Sequence, residues 1–165
     1  MRRMYFIALI CASMLSACET APGKYDGSGV PRSSSPSKFA YTRIYCTADT
    51  ETHFENVTVD LAKIAAAPPA APMYIITGGL PAARVNFAVF EARWGAEDLA
   101  RGTYHPAPGA QFTAVLDGLM SITTSDRETR RFRAGDVIRV EDTTPCRGHI
   151  SVNESNNLLS VMIVR

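Results

Sequence analysis

The sequence has little that would favour binding to nucleic acid or catalysis by a familiar nucleophile. It contains 17 Lys and Arg residues against 16 Asp and Glu residues. Basic runs with interleaved aromatic residues are missing, so nothing indicates an electrostatic footprint for a phosphate backbone. A Gly-x-Ser-x-Gly segment is absent, as is a glycine-rich phosphate loop before a helix. Small-molecule binding, metal-dependent catalysis and a purely structural role are the function classes left open.

Long apolar runs are also scarce. The stretch from Tyr5 to Leu15 is eleven residues long, which is too short to cross a bilayer, because a spanning helix needs about 20 residues. It follows Arg2 and Arg3 and precedes small residues, which is typical of a secretory signal peptide. We therefore expect residues 1–17 to be a cleaved signal. No second stretch of the sequence is long and apolar enough to span a membrane.

The end of this signal, Leu15-Ser16-Ala17-Cys18, resembles the lipobox of bacterial lipoproteins. In that family the cysteine is acylated and the signal is cleaved directly before it, so the resemblance implies lipidation of Cys18. It also implies a membrane-anchored protein of the bacterial cell envelope with its domain on the periplasmic side. The inner and outer membranes both stay open as the site of anchoring. The alternative is an ordinary signal peptide with an incidental cysteine.

Cysteines are few, and each of the four can be given a role. Cys11 lies in the signal and Cys18 would carry lipid, which leaves Cys46 and Cys146. An even pair in an oxidising envelope compartment favours a disulfide, and two buried free thiols are the alternative. These two cysteines lack the close spacing of zinc ligands, so we do not expect them to hold a metal.

Residues 18–38 connect the expected anchor to the rest of the chain. The segment from Glu19 to Lys38 is rich in Pro, Gly and Ser, and it cannot bury enough apolar surface to offset the entropy of ordering. We expect a disordered, flexible tether. Without Arg2 and Arg3, the 17 basic residues become 15 against 16 acidic residues, so the mature chain has a net charge of −1.

From Phe39 onward the chain has 127 residues, enough for one modest core. Near-alternating apolar and polar residues predict short strands, over residues 41–47, 54–61, 73–77, 84–94, 111–116, 119–124, 128–133, 137–141, 149–153 and 158–164. Residues 61–67 are expected to form a short helical turn. Glu141 and Asp142, at a strand end, are expected to meet water. Short strands at this spacing favour a sandwich or barrel.

The turns of the second half resemble the cupin superfamily. The segment GTYHPAPGAQ (Gly102–Gln111), followed after six intervening residues by Gly118, is similar to the first cupin motif. The segment RAGDVI (Arg133–Ile138) with Arg147-Gly148-His149 is similar to the second. The resemblance covers residues 39–165 and implies an all-β fold, a single cupin-like jelly-roll barrel. It also implies pairing of such domains through edge strands, so a homodimer is one expected state.

In metal-binding cupins the first motif supplies two histidines and a glutamate, and the second supplies a third histidine. Carried onto this chain, the resemblance places His105 at the first histidine, Gln111 at the glutamate and His149 at the last histidine. Ala107 stands at the remaining histidine position. The implied set could bind a divalent metal (Zn, Fe, Mn or Cu), but it lacks the carboxylate of non-haem iron oxygenases. His53 would complete it only if the first strands fold across the barrel mouth.

We therefore expect a lipid-anchored, cupin-like domain that binds a small polar molecule in its barrel and carries a degenerate metal site. The residues expected to line the site are Tyr104, His105, Gln111 and His149. One alternative is a metal-dependent cupin enzyme of oxygenase, isomerase or hydrolase type that uses His105, Gln111 and His149. A second alternative is a structural envelope lipoprotein without a small-molecule site. The sequence leaves open whether the protein is an enzyme.

Overall fold

The computed structural model of the protein describes residues 33, 35–65 and 69–165. The expected signal peptide, Cys18 and most of the expected tether lie outside these residues. Helical structure of the length and apolarity that a membrane crossing requires does not occur within the described ranges.

The described residues form eleven strands and one short helix. The first strands are β1 (Lys38–Cys46), β2 (Thr52–Asp60), β3 (Ala62–Ile64), β4 (Met73–Ile75) and β5 (Val85–Phe90). The helix α1 (Ala96–Arg101) follows, and after it come β6 (Gln111–Asp117), β7 (Leu119–Thr124), β8 (Thr129–Arg133), β9 (Val137–Val140), β10 (His149–Asn153) and β11 (Leu159–Val164).

Two sheets enclose the core. The larger has six strands in the order β2-β1-β9-β6-β11-β5, and the smaller has three in the order β10-β7-β8. All strand pairs of both sheets are antiparallel except β1 with β9. A separate hairpin joins β3 to β4. The predicted all-β fold of jelly-roll type is confirmed by this arrangement.

The core forms where the two sheets face each other. Ile44, Ile138 and Leu159 come from the larger sheet, and Ile122 and Phe132 come from the smaller one. All five are at most 2% exposed. Because successive side chains of a strand point to opposite faces, the alternating sequence places one face of each strand in this core. Burial of each such side chain stabilises the fold by about 1.5–3 kcal/mol.

Two local expectations are wrong. The helical turn over 61–67 is replaced, in its described part, by β3, which pairs with β4. The strand expected over 84–94 ends at Phe90, and α1 begins after five intervening residues, directly after Gly95. The alternation within β5 is confirmed, because Val85, Phe87 and Val89 are exposed while the residues between them are half-buried. In both cases long-range pairing or local turns outweigh the weak propensity of short segments.

Cys46 and Cys146 form a disulfide in the structure, with 5.8 Å between their Cα atoms. The bond ties the end of β1 to the segment before β10, across a sequence separation of 100 residues. It therefore anchors the loop that leads into His149.

Candidate functional site

A cavity of about 140 Å³ lies between the two sheets. Much of its wall is apolar, and its apolar lining residues include Trp94, Met120, Ile122, Val140, Val161 and Ile163. Its polar lining comes from His105, Gln111, Thr113, His149 and Ser151. Three of the four residues expected at the site therefore meet at one cavity.

His105 and His149 lie beside each other because their backbones pair. The His105 N–H donates to the His149 carbonyl at 3.2 Å, and the His149 N–H donates to the His105 carbonyl at 3.0 Å. This is an isolated antiparallel bridge, and it places both side chains on the same side of the pair. The two ring centroids are 5.3 Å apart. His105 is exposed, whereas His149 is buried.

Gly148 permits this close approach. Its φ of 94° lies in the left-handed region, which glycine adopts readily and other residues rarely adopt. A Cβ atom at this position would overlap the carbonyl carbon and oxygen of His105 and the nitrogen of Pro106. The Gly148 N–H donates to Thr52 Oγ1 at 3.0 Å. The glycine before His149 is thus required for the meeting of the two histidine segments.

Asp142 is the nearest charged partner of His149. Its Oδ2 lies 2.7 Å from His149 Nδ1, and the residue is fully buried. The other carboxylate oxygen, Oδ1, has no hydrogen-bond partner among the described residues. The expectation that Asp142 meets water is therefore wrong. The chain continues its in–out alternation past the end of β9, which turns Asp142 inward.

The neighbouring Glu141 has the opposite environment, half-buried on the outer side of the larger sheet. Its two oxygens accept hydrogen bonds from Arg43 Nε at 2.6 Å and Arg139 Nε at 2.9 Å. Partial burial raises the pKa of Glu141, but the hydrogen bonds from the two arginines outweigh it, so the pKa is lowered overall. Adjacent carboxylates thus serve different purposes, an external ion pair and an internal partner for histidine.

A second part of the wall comes from the segment between β5 and α1. Trp94 packs on Phe90 with ring centroids 4.3 Å apart, and both line the cavity. The buried Asn153 holds this segment, because its N–H donates to the Trp94 carbonyl at 3.0 Å and its Nδ2 donates to the Glu91 carbonyl at 2.9 Å. Gly95 lies so close to β10 that a Cβ atom would overlap the Ser151 carbonyl.

The other expected residues differ in their placement. Gln111 lines the cavity, and its Oε1 accepts a hydrogen bond from Arg165 Nε at 2.8 Å. Tyr104 is half-buried but is not among the described residues that line the cavity. His53 is also outside that lining. Its Nδ1 lies 2.7 Å from Asp126 Oδ2, so it connects β2 to the loop between β7 and β8.

The donor set only partly fits a metal ion. His105 and His149 could offer imidazole nitrogens, and Gln111 could offer an amide oxygen already engaged by Arg165. No group of three or more His, Cys, Asp or Glu residues with metal-binding geometry occurs among the described residues. Protein metal centres normally use three or four such donors, so we derive no chemical step through a metal. The metal assignment of these three residues stays a prediction.

No protein-family model matches the chain, and no curated protein matches it. The solved structures that resemble it weakly include the following two. A protein of Neisseria meningitidis shares 15% identity with a TM-score of 0.34, covering 49% of this chain and 70% of its own. A Salmonella typhimurium protein named for ethanolamine utilization (protein Q) shares 12% identity with a TM-score of 0.29, covering 76% and 94%. At these TM-scores the likenesses assign neither a family nor a function.

Proposed function

We propose that the protein is a lipid-anchored, cupin-like protein of the bacterial cell envelope that holds a small molecule in its barrel. The observation that carries the proposal is the cavity of about 140 Å³, with His149 in its wall. An apolar cavity of about 150 Å³ is large enough for benzene. We therefore propose a ligand, or a buried part of one, with about six to eight non-hydrogen atoms.

The sequence predicts a small polar molecule, and the chemistry of the lining favours one that combines an apolar body with a single polar group. Apolar side chains from β5, β7, β9 and β11 line the cavity. The polar lining residues are His105, Gln111, Thr113, His149 and Ser151. Sites of this kind gain affinity from apolar contact and orientation from a few polar groups. A wholly polar ligand would lose its hydration against the apolar wall without compensation.

The cupin-like assignment is supported by the positions of the two sequence motifs in the fold. Gly118 lies between β6 and β7, and Gly135 lies between β8 and β9, each with φ close to 90°. His105 and His149, one from each motif, face each other across a backbone bridge. These positions are the ones that the resemblance implies for the turns and the site of such a barrel.

A small-molecule titration tests the binding proposal. Benzene and toluene, added separately to the full-length protein, should raise its melting temperature, because a ligand that binds only the folded state stabilises it. Ser151→Leu fills the cavity and should abolish the shift. Ser160→Leu is the matched control, since Ser160 is also half-buried on a strand but does not line the cavity. If the melting temperature of the wild-type protein does not rise in solutions saturated with benzene or toluene, the binding proposal is contradicted.

The anchor is tested separately, by the mass of the mature protein. We expect an acylated N-terminus at Cys18, and Cys18→Ala should leave the protein unacylated and released from membranes. Cys11→Ala is the control, because this cysteine lies within the expected signal. An unmodified Cys18 in the mature chain would contradict the anchor while leaving the binding proposal intact.

A metal-dependent enzyme is the second candidate, favoured by the pairing of His149 with Asp142, because metal-ligating histidines commonly donate their other nitrogen to a carboxylate. The metal content of the purified protein, measured by mass spectrometry, tests this second candidate. About one metal per chain, lost in the variant with His105→Ala and His149→Ala but kept in His53→Ala, would favour this candidate. If neither small molecules nor metal bind, the structural role becomes the better proposal.

A further inference from the structure

We infer that Asp142 fixes the tautomer of His149, so that the barrel selects an uncharged ligand that presents a hydroxyl or N–H hydrogen to His149 Nε2. This inference rests on the proposed function, since it names the ligand class of the same cavity. Asp142 is not in the cavity lining and acts through the imidazole. It is therefore a positioning residue, and His149 is the residue that contacts the ligand.

The first step of the argument concerns Nδ1 of His149. This nitrogen lies 2.7 Å from Asp142 Oδ2, inside normal hydrogen-bond distance. An ionised carboxylate accepts hydrogen bonds and cannot donate them. The hydrogen of this bond must therefore reside on Nδ1. Full burial of Asp142 and near-complete burial of His149 exclude water as a competing partner.

The second step concerns the other ring nitrogen. In a neutral imidazole with its hydrogen on Nδ1, Nε2 carries a lone pair and is an acceptor. His149 lines the cavity, and its side chain has no further hydrogen-bond partner among the described residues. A ligand that donates a hydrogen to this lone pair therefore forms one hydrogen bond more than a ligand of the same shape that can only accept.

The third step concerns charge. An anionic ligand would meet the Nε2 lone pair and the buried carboxylate of Asp142 just behind the ring. Both oppose a negative group in a region of low dielectric constant. Neutral alcohols, phenols and N–H heterocycles avoid this conflict, and their apolar part suits the wall formed by residues such as Trp94 and Val161.

A nitrogen-15 NMR measurement tests the tautomer without any ligand. The full-length protein contains three histidines, so His53→Ala and His105→Ala assign the signals by elimination. At pH 8 we expect His149 to show a protonated Nδ1 and an unprotonated Nε2. A hydrogen on Nε2, alone or together with Nδ1, would overturn the inference. This readout uses wild-type protein and does not depend on the folding of any Asp142 variant.

Binding of pyrrole and furan tests the ligand class. The two rings are nearly equal in size, but pyrrole donates an N–H hydrogen and furan only accepts. NMR titration of wild-type protein should show pyrrole bound about threefold to tenfold more tightly, the net effect of one hydrogen bond. Equal binding, or tighter binding of furan, would overturn the inference.

Asp142→Asn supplies the matched perturbation. An amide can donate to Nδ1 and so permit the opposite tautomer. The preference for pyrrole over furan should therefore disappear or reverse. Asp60→Asn, at an exposed carboxylate on β2, should leave the preference unchanged. Failure of pyrrole, furan and benzene alike to bind would overturn the proposed function, and the NMR result would still decide the tautomer.

Discussion

Replacement of Asn153 by Ala should loosen one wall of the cavity and destabilise the whole domain. Asn153 is 1% exposed. Its Nδ2 donates to the carbonyls of Phe90, Glu91 and Asn157 at 3.3, 2.9 and 2.9 Å, and its Oδ1 accepts from the Ser155 N–H at 3.0 Å. One side chain therefore joins the end of β5 to the loop between β10 and β11.

The size of the effect follows from these bonds. The amide has two hydrogens for three carbonyls, so we count two full donated bonds, and its Oδ1 accepts two bonds, from the N–H and from the Oγ of Ser155. Each buried hydrogen bond contributes about 1 kcal/mol net, and a carbonyl left without a partner costs about 1–3 kcal/mol. Because the Glu91 and Ser155 segments are partly exposed and can recruit water, we expect Asn153→Ala to lower the free energy of unfolding by about 2–4 kcal/mol.

Denaturant unfolding followed by tryptophan fluorescence measures this loss. The sequence has a single tryptophan, and its carbonyl accepts the Asn153 N–H, so the probe reports on the affected wall. Asn156→Ala is the control, because Asn156 is exposed in the same loop. Asn153→Asp should be at least as harmful as Asn153→Ala, since a carboxylate would face the carbonyls that the amide now satisfies. A loss within about 0.5 kcal/mol of the control would refute the reasoning.

Three further predictions test other parts of the structure. Replacing Cys46 and Cys146 with serine should lower the free energy of unfolding by about 4–5 kcal/mol on the chain-entropy account of a 100-residue loop, and chemical denaturation under oxidising and reducing conditions measures it. Gly148→Ala should destabilise far more than Gly78→Ala, because both glycines have positive φ but only Gly148 has backbone atoms in the way of a Cβ; comparative melting decides this. Glu141→Gln should lower the free energy of unfolding at pH 7, and the difference from wild type should vanish as the pH falls through the lowered pKa of Glu141. A carboxylate whose pKa is lowered in the folded state stabilises the fold above its unfolded pKa of about 4.3, and this stabilisation is lost in acid. Unfolding curves at pH 7 and pH 3 measure the difference.

Much of the fold could be predicted because strand signals are local. The alternation of β5 and the turn residues at Gly118 and Gly135 mark faces and chain reversals without knowledge of partners. The hairpin of β3 and β4 could not be predicted, since each strand has three residues and exists only through pairing with the other. Helix α1 is equally short, and its start depends on the contact of Gly95 with β10.

The site could be predicted in part. The resemblance to the two cupin motifs predicts His105 and His149. It does not predict Asp142, because no sequence pattern separates a carboxylate that turns inward after a strand from one that turns outward. Its burial depends on the bond from the Ala107 N–H to the Asp142 carbonyl at 3.0 Å, which fixes the chain across two distant segments. Trp94 was missed for the same reason, since Asn153 brings it to the cavity from about 60 residues away in the chain.

The segment from residue 141 to residue 153 links the chemistry of the site to the stability of the fold. Alternation sends Glu141 outward to arginines and Asp142 inward to His149. Gly148 allows the chain to approach the backbone of His105 closely. Asn153 holds the segment between β5 and α1 through its hydrogen bond to the Glu91 carbonyl. Substitutions at Gly148 or Asn153 should therefore change ligand affinity and the free energy of unfolding together. Asp142→Asn retains the shape of the side chain while changing its hydrogen-bonding capacity, so it is the substitution that can alter ligand preference beyond its effect on stability.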